Sequence, residues 1–178
     1  MAVVVWAYMG MSVDGFIARR DGGLDFLEAN DGSPGGQGFS FEDFMAGIDA
    51  LVMGRRTFEV VKGFGAWPYS KPVVVLSRAG VDTSWAPSSV SVLAGSPVEV
   101  VAALAKRGWR NLYVDGGETV MGFLRAGLVD RFVITRVPVL VGQGIPLFGS
   151  LLRDVRLRHL RTDTMAGGLV QTQYEVVR

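Results

Sequence analysis

The segment Asn111 to Thr119, Asn-Leu-Tyr-Val-Asp-Gly-Gly-Glu-Thr, followed directly by Val-Met-Gly-Phe-Leu, does most to limit what this chain can fold into. Leu112, Tyr113 and Val114 form a short apolar run suited to a buried strand, and Val120, Met121, Phe123 and Leu124 recur at the spacing of a helix face. The chain is therefore expected to turn from strand to helix at Asp115-Gly116-Gly117. Two glycines remove both Cβ atoms, so the backbone can take conformations closed to other residues and a ligand can come close to the main chain. The first amides of the following helix lack partners inside the helix. Together with the helix dipole they form a place for an anion such as a pyrophosphate.

The same junction recurs. Val3 to Met9 is apolar almost throughout, as a central strand covered on both faces would be, and it leads into Gly10-Met11-Ser12-Val13-Asp14-Gly15-Phe16-Ile17-Ala18. Asp14-Gly15 is a turn pair that leaves a carboxylate at a strand end, where open α/β sheets bind their ligands. Ala50 to Met53 is a second buried strand, ending in Gly54-Arg55-Arg56-Thr57-Phe58-Glu59. Guanidinium forks match phosphate oxygens and helix amides add donors, so this corner can recognise phosphate, although it lacks the spacing of a Walker loop. Pro72 to Leu76 is a third buried strand, ending in Ser77-Arg78. Each junction alone is equally compatible with a plain turn or a solvated arginine pair; their repetition is what points to a phosphate-bearing ligand.

Between and after these junctions the chain is more ordinary. Asn30 to Gly38, with four glycines and a proline, is a loop, either a lid or an exposed excursion. Ser40 with Asp43 caps a short helix whose Phe44, Met45 and Ile48 face inward. Thr83 to Ser91 reads as a polar connection, and Ser96-Pro97-Val98-Glu99 as a capping box with proline at the first helical position, the helix ending at Gly108. Arg131 to Val137 is a strand. Val155 to Arg161 and Leu169 to Val177 alternate imperfectly about Ala166-Gly167-Gly168, as an antiparallel hairpin with one exposed face would. His159, the only histidine, sits on that hairpin beside Leu157, which suits a structural or surface role. The expectation is one three-layer α/β domain over residues 1–178, with a mostly parallel central sheet and an antiparallel C-terminal edge.

Composition narrows the function classes. With 49% apolar and 20% charged residues the chain has the balance of a globular protein, and the formal charge of +1 gives no reason to expect nucleic acid or a membrane surface as partner. No apolar run approaches the ~18 residues of a membrane span. The opening Met-Ala-Val-Val-Val-Trp lacks the basic start and cleavage pattern of a signal peptide, and the absence of cysteine excludes thiolate chemistry and fits the cytoplasm. The mean hydropathy of +0.31 is high enough to suggest a buried subunit contact, hence a homodimer.

Met53-Gly54-Arg55-Arg56-Thr57, Leu76-Ser77-Arg78 and Asp115-Gly116-Gly117, in this order and at these spacings, resemble the NADPH-binding motifs of the dihydrofolate reductase-like superfamily. The branch they resemble includes the C-terminal reductase domain of bacterial riboflavin biosynthesis. Ser12 to Ala18 and the stretch from Val137 to Phe148 match that branch too. The resemblance implies the same α/β fold and an NADPH-dependent reductase of a small, pterin- or pyrimidine-like heterocycle. It implies that Arg55, Arg56, Ser77 and Arg78 hold the adenosine phosphate, with Gly54 and Leu76 at the same strand ends. Thr57, Gly116, Gly117, Glu118 and Thr119 would take the pyrophosphate, Gly10 and Ile17 would lie near the nicotinamide, and Asp14 and Asp115 would serve the substrate. The pterin-binding carboxylate of folate reductases falls at about Gly38 here, which argues against folate as substrate. A nucleotide-binding protein without turnover, or a flavin-dependent oxidoreductase using the same glycine turn, are the alternatives.

Overall fold

The computed structural model describes residues 2–178. Along the chain run β1 (Val4–Ser12), β2 (Phe16–Ala18), a 3₁₀ turn (Asp25–Glu28), α1 (Phe41–Ala46), β3 (Ala50–Gly54), α2 (Arg55–Lys62), β4 (Val73–Leu76) and β5 (Val90–Leu93). They are followed by α3 (Pro97–Lys106), β6 (Asn111–Asp115), α4 (Gly117–Arg125), β7 (Arg131–Val137), β8 (Ile145–Pro146), β9 (Leu157–Met165) and β10 (Leu169–Val176). The class is α/β, with a mostly parallel sheet and an antiparallel C-terminal edge pair, as the sequence predicts. The residues gather into two compact units, one formed by the opening residues through Trp6 with Met45–Val129 and the other by Ala7–Phe44 with Asp130–Arg178.

In the first unit the strand order is β5-β4-β3-β6, followed by the opening residues of β1, and every pairing is parallel. Leu51, Val52, Met53, Val73, Val74, Val75, Leu112 and Val114 are fully buried, which is why these strands read as unbroken apolar runs instead of alternating ones. Phe58, Leu104 and Phe123 bring the helices onto them, each nearly or fully buried. The connection from Thr83 to Ser91 is only partly irregular: its end enters β5, which pairs Val73↔Val90 through Leu76↔Leu93 with β4. Val-Ser-Val-Leu is four residues long and half-exposed at the sheet edge, too short an alternation to stand out in sequence. The capping box of α3 is present as read, with the Glu99 amide donating to Ser96 Oγ and the Ser96 amide to Glu99 Oε2 at 2.7 Å. Asp49 accepts the amides of Arg110 and Asn111 at 2.7 and 2.8 Å, which fixes where β6 begins.

The second unit holds the remainder of β1, then β7, β10 and β9 in that order, with antiparallel pairing of β10 to both β7 and β9. The expected hairpin is found, and its first strand runs on to Met165. Gly167 and Gly168, at φ 81° and 74°, make the turn. The glycine-rich 30–38 segment is laid against this turn. Asp31 N–H donates to Gly167 C=O, Gly167 N–H to Ser33 C=O, Gly36 N–H to Thr164 C=O and Ala166 N–H to Gly36 C=O, all at 2.9–3.2 Å. Gln171, 1% exposed, satisfies its buried amide by accepting from Phe39 N–H and donating to Tyr8 Oη, Thr135 Oγ1 and Phe39 C=O. Ser40 caps α1 as expected, accepting the Asp43 amide at 3.0 Å. Two elements with no sequence expectation, β2 and β8, pair with each other as a small separate ladder.

Candidate functional site

In the first unit three strand ends line up. The pairings Gly54↔Leu76 and Met53↔Asp115 bring the ends of β4, β3 and β6 side by side, so Ser77-Arg78, Gly54-Arg55-Arg56-Thr57 and Asp115-Gly116-Gly117-Glu118-Thr119 form one row. Two helices start from this row without a side-chain cap: α2 behind Gly54 and α4 behind Gly116. The third helix starting at the same edge, α3, has its cap filled by Ser96 and Glu99. The first amides of α2 and α4 are thus left for solvent or a ligand, while those of α3 are served from within the chain.

Close approach explains the glycines. Gly116 has φ 87° and ψ 136°, and a Cβ there would run into Thr57 Oγ1. A Cβ on Gly54 would come within 3.1 Å of Thr119 Oγ1. The two helix starts interlock, each presenting a hydroxyl to the other's glycine. Thr57 and Thr119 are half-buried, and Glu118 is exposed.

The arginines of the row are not equivalent. Arg56 is paired with Glu118 at 3.0 Å and Arg55 approaches Glu59 at 3.8 Å, all four side chains being solvent-exposed. Arg78 has no acidic partner among the described residues; it lines a cavity of about 480 Å³ with Leu76, Ser77, Leu93, Ala94, Gly95 and Ser96. Leu76 and Leu93 are register partners at the ends of β4 and β5. Ser77 Oγ donates to Gly80 C=O at 2.7 Å, which holds the loop carrying Arg78. The cavity therefore combines two leucines, a free guanidinium and two serines.

Asp115 is the unusual carboxyl of this unit. The residue is half-buried, and burial pushes its pKa up, although Oδ1 accepts the Gly116 amide at 2.8 Å and the Tyr113 side chain donates to it. Tyr69, in the irregular segment after α2, is pushed up as well, first by burial and then by the Asp115 charge. Its ring meets Trp67 edge-on at 5.5 Å, and Trp67 in turn meets Trp85 at 5.7 Å and Phe58 at 6.1 Å. Trp67 Nε1 is buried and has no hydrogen-bond partner in the described structure. The sequence reading missed this aromatic wall; the signal was the Trp67-Pro68-Tyr69 triplet inside a stretch otherwise typical of turns.

The other predicted residues belong to the second unit. Gly10 is half-buried within β1, and a Cβ on it would stand 3.2 Å from Leu27. Ile17 is half-buried in the centre of β2. Asp14 is exposed, with three donors on its carboxylate: Ser12 Oγ at 2.6 Å, Val141 N–H at 3.1 Å and Gly142 N–H at 2.7 Å. These bonds, Ser12 foremost, hold its pKa below the ordinary aspartate value. Asp14 thus stays ionised near neutrality, while the environment of Asp115 favours its protonated form. His159 is exposed on β9, bonded to Thr162 Oγ1 at 2.8 Å. Among the described residues no three His, Asp or Glu side chains form a group that could hold a metal ion.

Residues 3–171 match the model of the RibD C-terminal domain, and the chain belongs to that family. It is 33% identical over 169 residues to the protein named Uncharacterized protein YwjB of Bacillus subtilis (strain 168), covering 94% of each chain. A solved structure from Shewanella sp. PV-4, named for riboflavin biosynthesis, superposes with a TM-score of 0.90 at 36% identity, over 99% of this chain and all of that one. Dihydrofolate reductase from Enterococcus faecalis, solved with NADP(H), shares the fold at a TM-score of 0.64 and 17% identity, over 98% and 97% of the two chains.

Proposed function

We propose that this protein is an NADPH-dependent reductase of a small planar heterocycle of the pterin or pyrimidine kind. The observation that carries the reading is the strand-end row of the first unit. Two helix starts are left uncapped behind glycines beside a cavity with a free arginine, while the neighbouring helix start is capped. Uncapped amides beside a guanidinium suit a ligand with two separate phosphate groups. Leu76 and Leu93 suit the flat base between them. The relative named for riboflavin biosynthesis favours a pyrimidine-like substrate.

The residues fit that cofactor. Arg78 with Ser77 would hold the phosphate that distinguishes NADPH from NADH. The Gly116 to Thr119 turn with Thr57 would hold the pyrophosphate, the Thr57 hydroxyl being packed so close that a Cβ at Gly116 would run into it. The bound cofactor supplies the hydride. Asp115 would serve as the proton-holding group, since reduction of a polar C=N or C=O needs a proton as well, and burial keeps this carboxyl protonated to higher pH than an ordinary aspartate.

Titration of the purified protein with NADPH and NADH tests the reading. NADPH should bind clearly more tightly. Arg78→Ala should cost roughly ten- to a hundredfold of NADPH affinity, as the loss of a charged hydrogen bond worth about 1.5–3 kcal/mol would, and leave NADH nearly unchanged. Arg55→Ala and Arg56→Ala should cost less, because their acidic neighbours already compensate them. Equal affinity for both nucleotides, or none for either, would overturn the proposal.

A further inference from the structure

The second unit contains a carboxylate, Asp14, to which the proposed function above assigns no step. Two segments distant in sequence, residues 12–18 and 138–147, are fastened together over their whole length. Val13 N–H donates to Val139 C=O at 2.9 Å and Leu147 N–H to Gly15 C=O at 3.0 Å, and β2 pairs with β8 through Phe16↔Pro146 and Ala18↔Ile145. Gly144 permits this closeness, since a Cβ there would run into Ala18 C=O and the Phe16 side chain. Asp14 sits in the middle of the seam, where the successive amides of Val141 and Gly142 converge on its carboxylate. Gly142, at φ 76°, has the left-handed backbone that turns neighbouring amides toward one anion. On its other side Asp14 takes the hydroxyl of Ser12, a fully buried residue whose Oγ accepts the Phe16 amide at 2.9 Å. One carboxylate therefore joins the start of one segment to an anion-binding turn of the other.

The seam is otherwise made of backbone bonds between strands too short to hold themselves. β2 and β8 have three and two residues, and a two-stranded ladder is marginal in water even when longer. Leu147 and Ala18 anchor the far end of the seam by burial, but Val13, Leu140 and Ile145 are 56%, 73% and 42% exposed, so apolar burial contributes little where Asp14 sits. Charge-assisted bonds from two amides and a hydroxyl are the strongest specific contacts available there.

We propose that Asp14 is a positioning residue: its carboxylate clasps the 138–147 loop to the 12–18 loop, so that Ile17 is held in place by a segment more than a hundred residues away. The functional half of this inference rests on the reductase reading above and on the family resemblance, which implies that Ile17 lies near the nicotinamide. The clasp stands on its geometry alone.

Asp14→Ala and Asp14→Asn, which keeps the shape and removes the charge, test both halves. Amide hydrogen exchange followed by NMR reports the clasp directly: protection at Val141 and Gly142 should fall at least tenfold in both variants, while amides of β10 keep theirs. For function, affinity for NADPH is compared with affinity for 2′-phospho-ADP-ribose, which carries both phosphate groups and no nicotinamide. NADPH binding should weaken several-fold, and binding of the fragment should not change. Unchanged exchange at 141 and 142 would overturn the clasp. Lost protection with neither ligand affected, or with both weakened equally, would overturn the positioning role. Wild-type protein that binds neither ligand would defeat the reductase reading before any variant is made, and the exchange measurement would still decide the clasp.

Discussion

Asp115 and Asp14 show how two aspartates at similar turns come to opposite chemistry. Asp14 gathers three donors in the open and stays charged; Asp115 loses water with only the Gly116 amide and Tyr113 in return. The sign of the consequence for Asp115 follows from linkage. Its folded carboxyl titrates above the ~3.9 of an unfolded aspartate, so the fold disfavours the charged form. Its contribution is undiminished below about pH 4 and is lost as pH rises through the folded value. Asp115→Asn, which keeps the bond from Gly116 and cannot ionise, should therefore melt progressively higher than wild type as pH is raised from 4 to 8, with little difference at the acid end. Turnover of a heterocyclic substrate should fall on the order of 10²–10⁴-fold, the usual share of a general acid. A melting difference that does not grow with pH would mean that the carboxyl is well solvated.

The decisive element is the pair of helix starts, α2 and α4, held together by Thr57 against Gly116 and Thr119 against Gly54. Gly116→Ala should destabilise the fold for two separable reasons. The φ of 87° with ψ of 136° lies where side chains cost on the order of 1–3 kcal/mol, and the new methyl would also meet the Thr57 hydroxyl. Adding Thr57→Ala should restore the steric share and leave the backbone share, a partition readable from denaturant midpoints. A double variant no more stable than the single one would place the whole cost in the backbone. Much of this element was legible in the sequence, because strand-to-helix junctions with glycines are local patterns, and so were the Ser96 capping box and the Ala166-Gly167-Gly168 turn. What was not legible depends on contacts distant along the chain. The docking of the 30–38 segment against residues 164–167, the β2–β8 seam and the Gln171 network each join residues more than a hundred positions apart, and β5 was hidden because its four residues become a strand only by pairing with β4. Tyr69 escaped notice because what shifts it, burial first and the Asp115 charge second, comes from packing that no spacing announces.

At the scale of the molecule, the outermost strand of the second unit bears on whether the protein acts alone. β9 pairs with β10 on one side, its other side is met by Gly36 of the 30–38 segment at the Met165 end and by no strand along the rest among the described residues, and seven of its nine residues are exposed. Leu157 and Leu160 are 40% and 42% exposed, and Leu151 and Leu152 just before them 37% and 106%. A long edge of this kind offers unpaired N–H and C=O groups to another chain, and proteins usually blunt it with charge. Here the charges are spent within the hairpin: Arg158 pairs with Glu175 across the ladder and Arg161 with Asp163 at 2.7 Å, so they repel an approaching copy less than free arginines would. The occupant best matched to an edge with both leucines and balanced charge is the same edge of a second molecule, in a twofold antiparallel arrangement where each contact is made twice. We expect a homodimer, with an interface of at least ~1,000 Å², the lower bound for a stable association. Sedimentation at micromolar concentration should give twice the mass of 19.2 kDa. Leu152→Lys with Leu160→Lys should give a monomer with little loss of monomer stability, since exposed substitutions usually shift it by no more than about 0.5 kcal/mol. A wild-type monomer under those conditions would remove the idea, and a dimer that survives both lysines would move the interface away from β9.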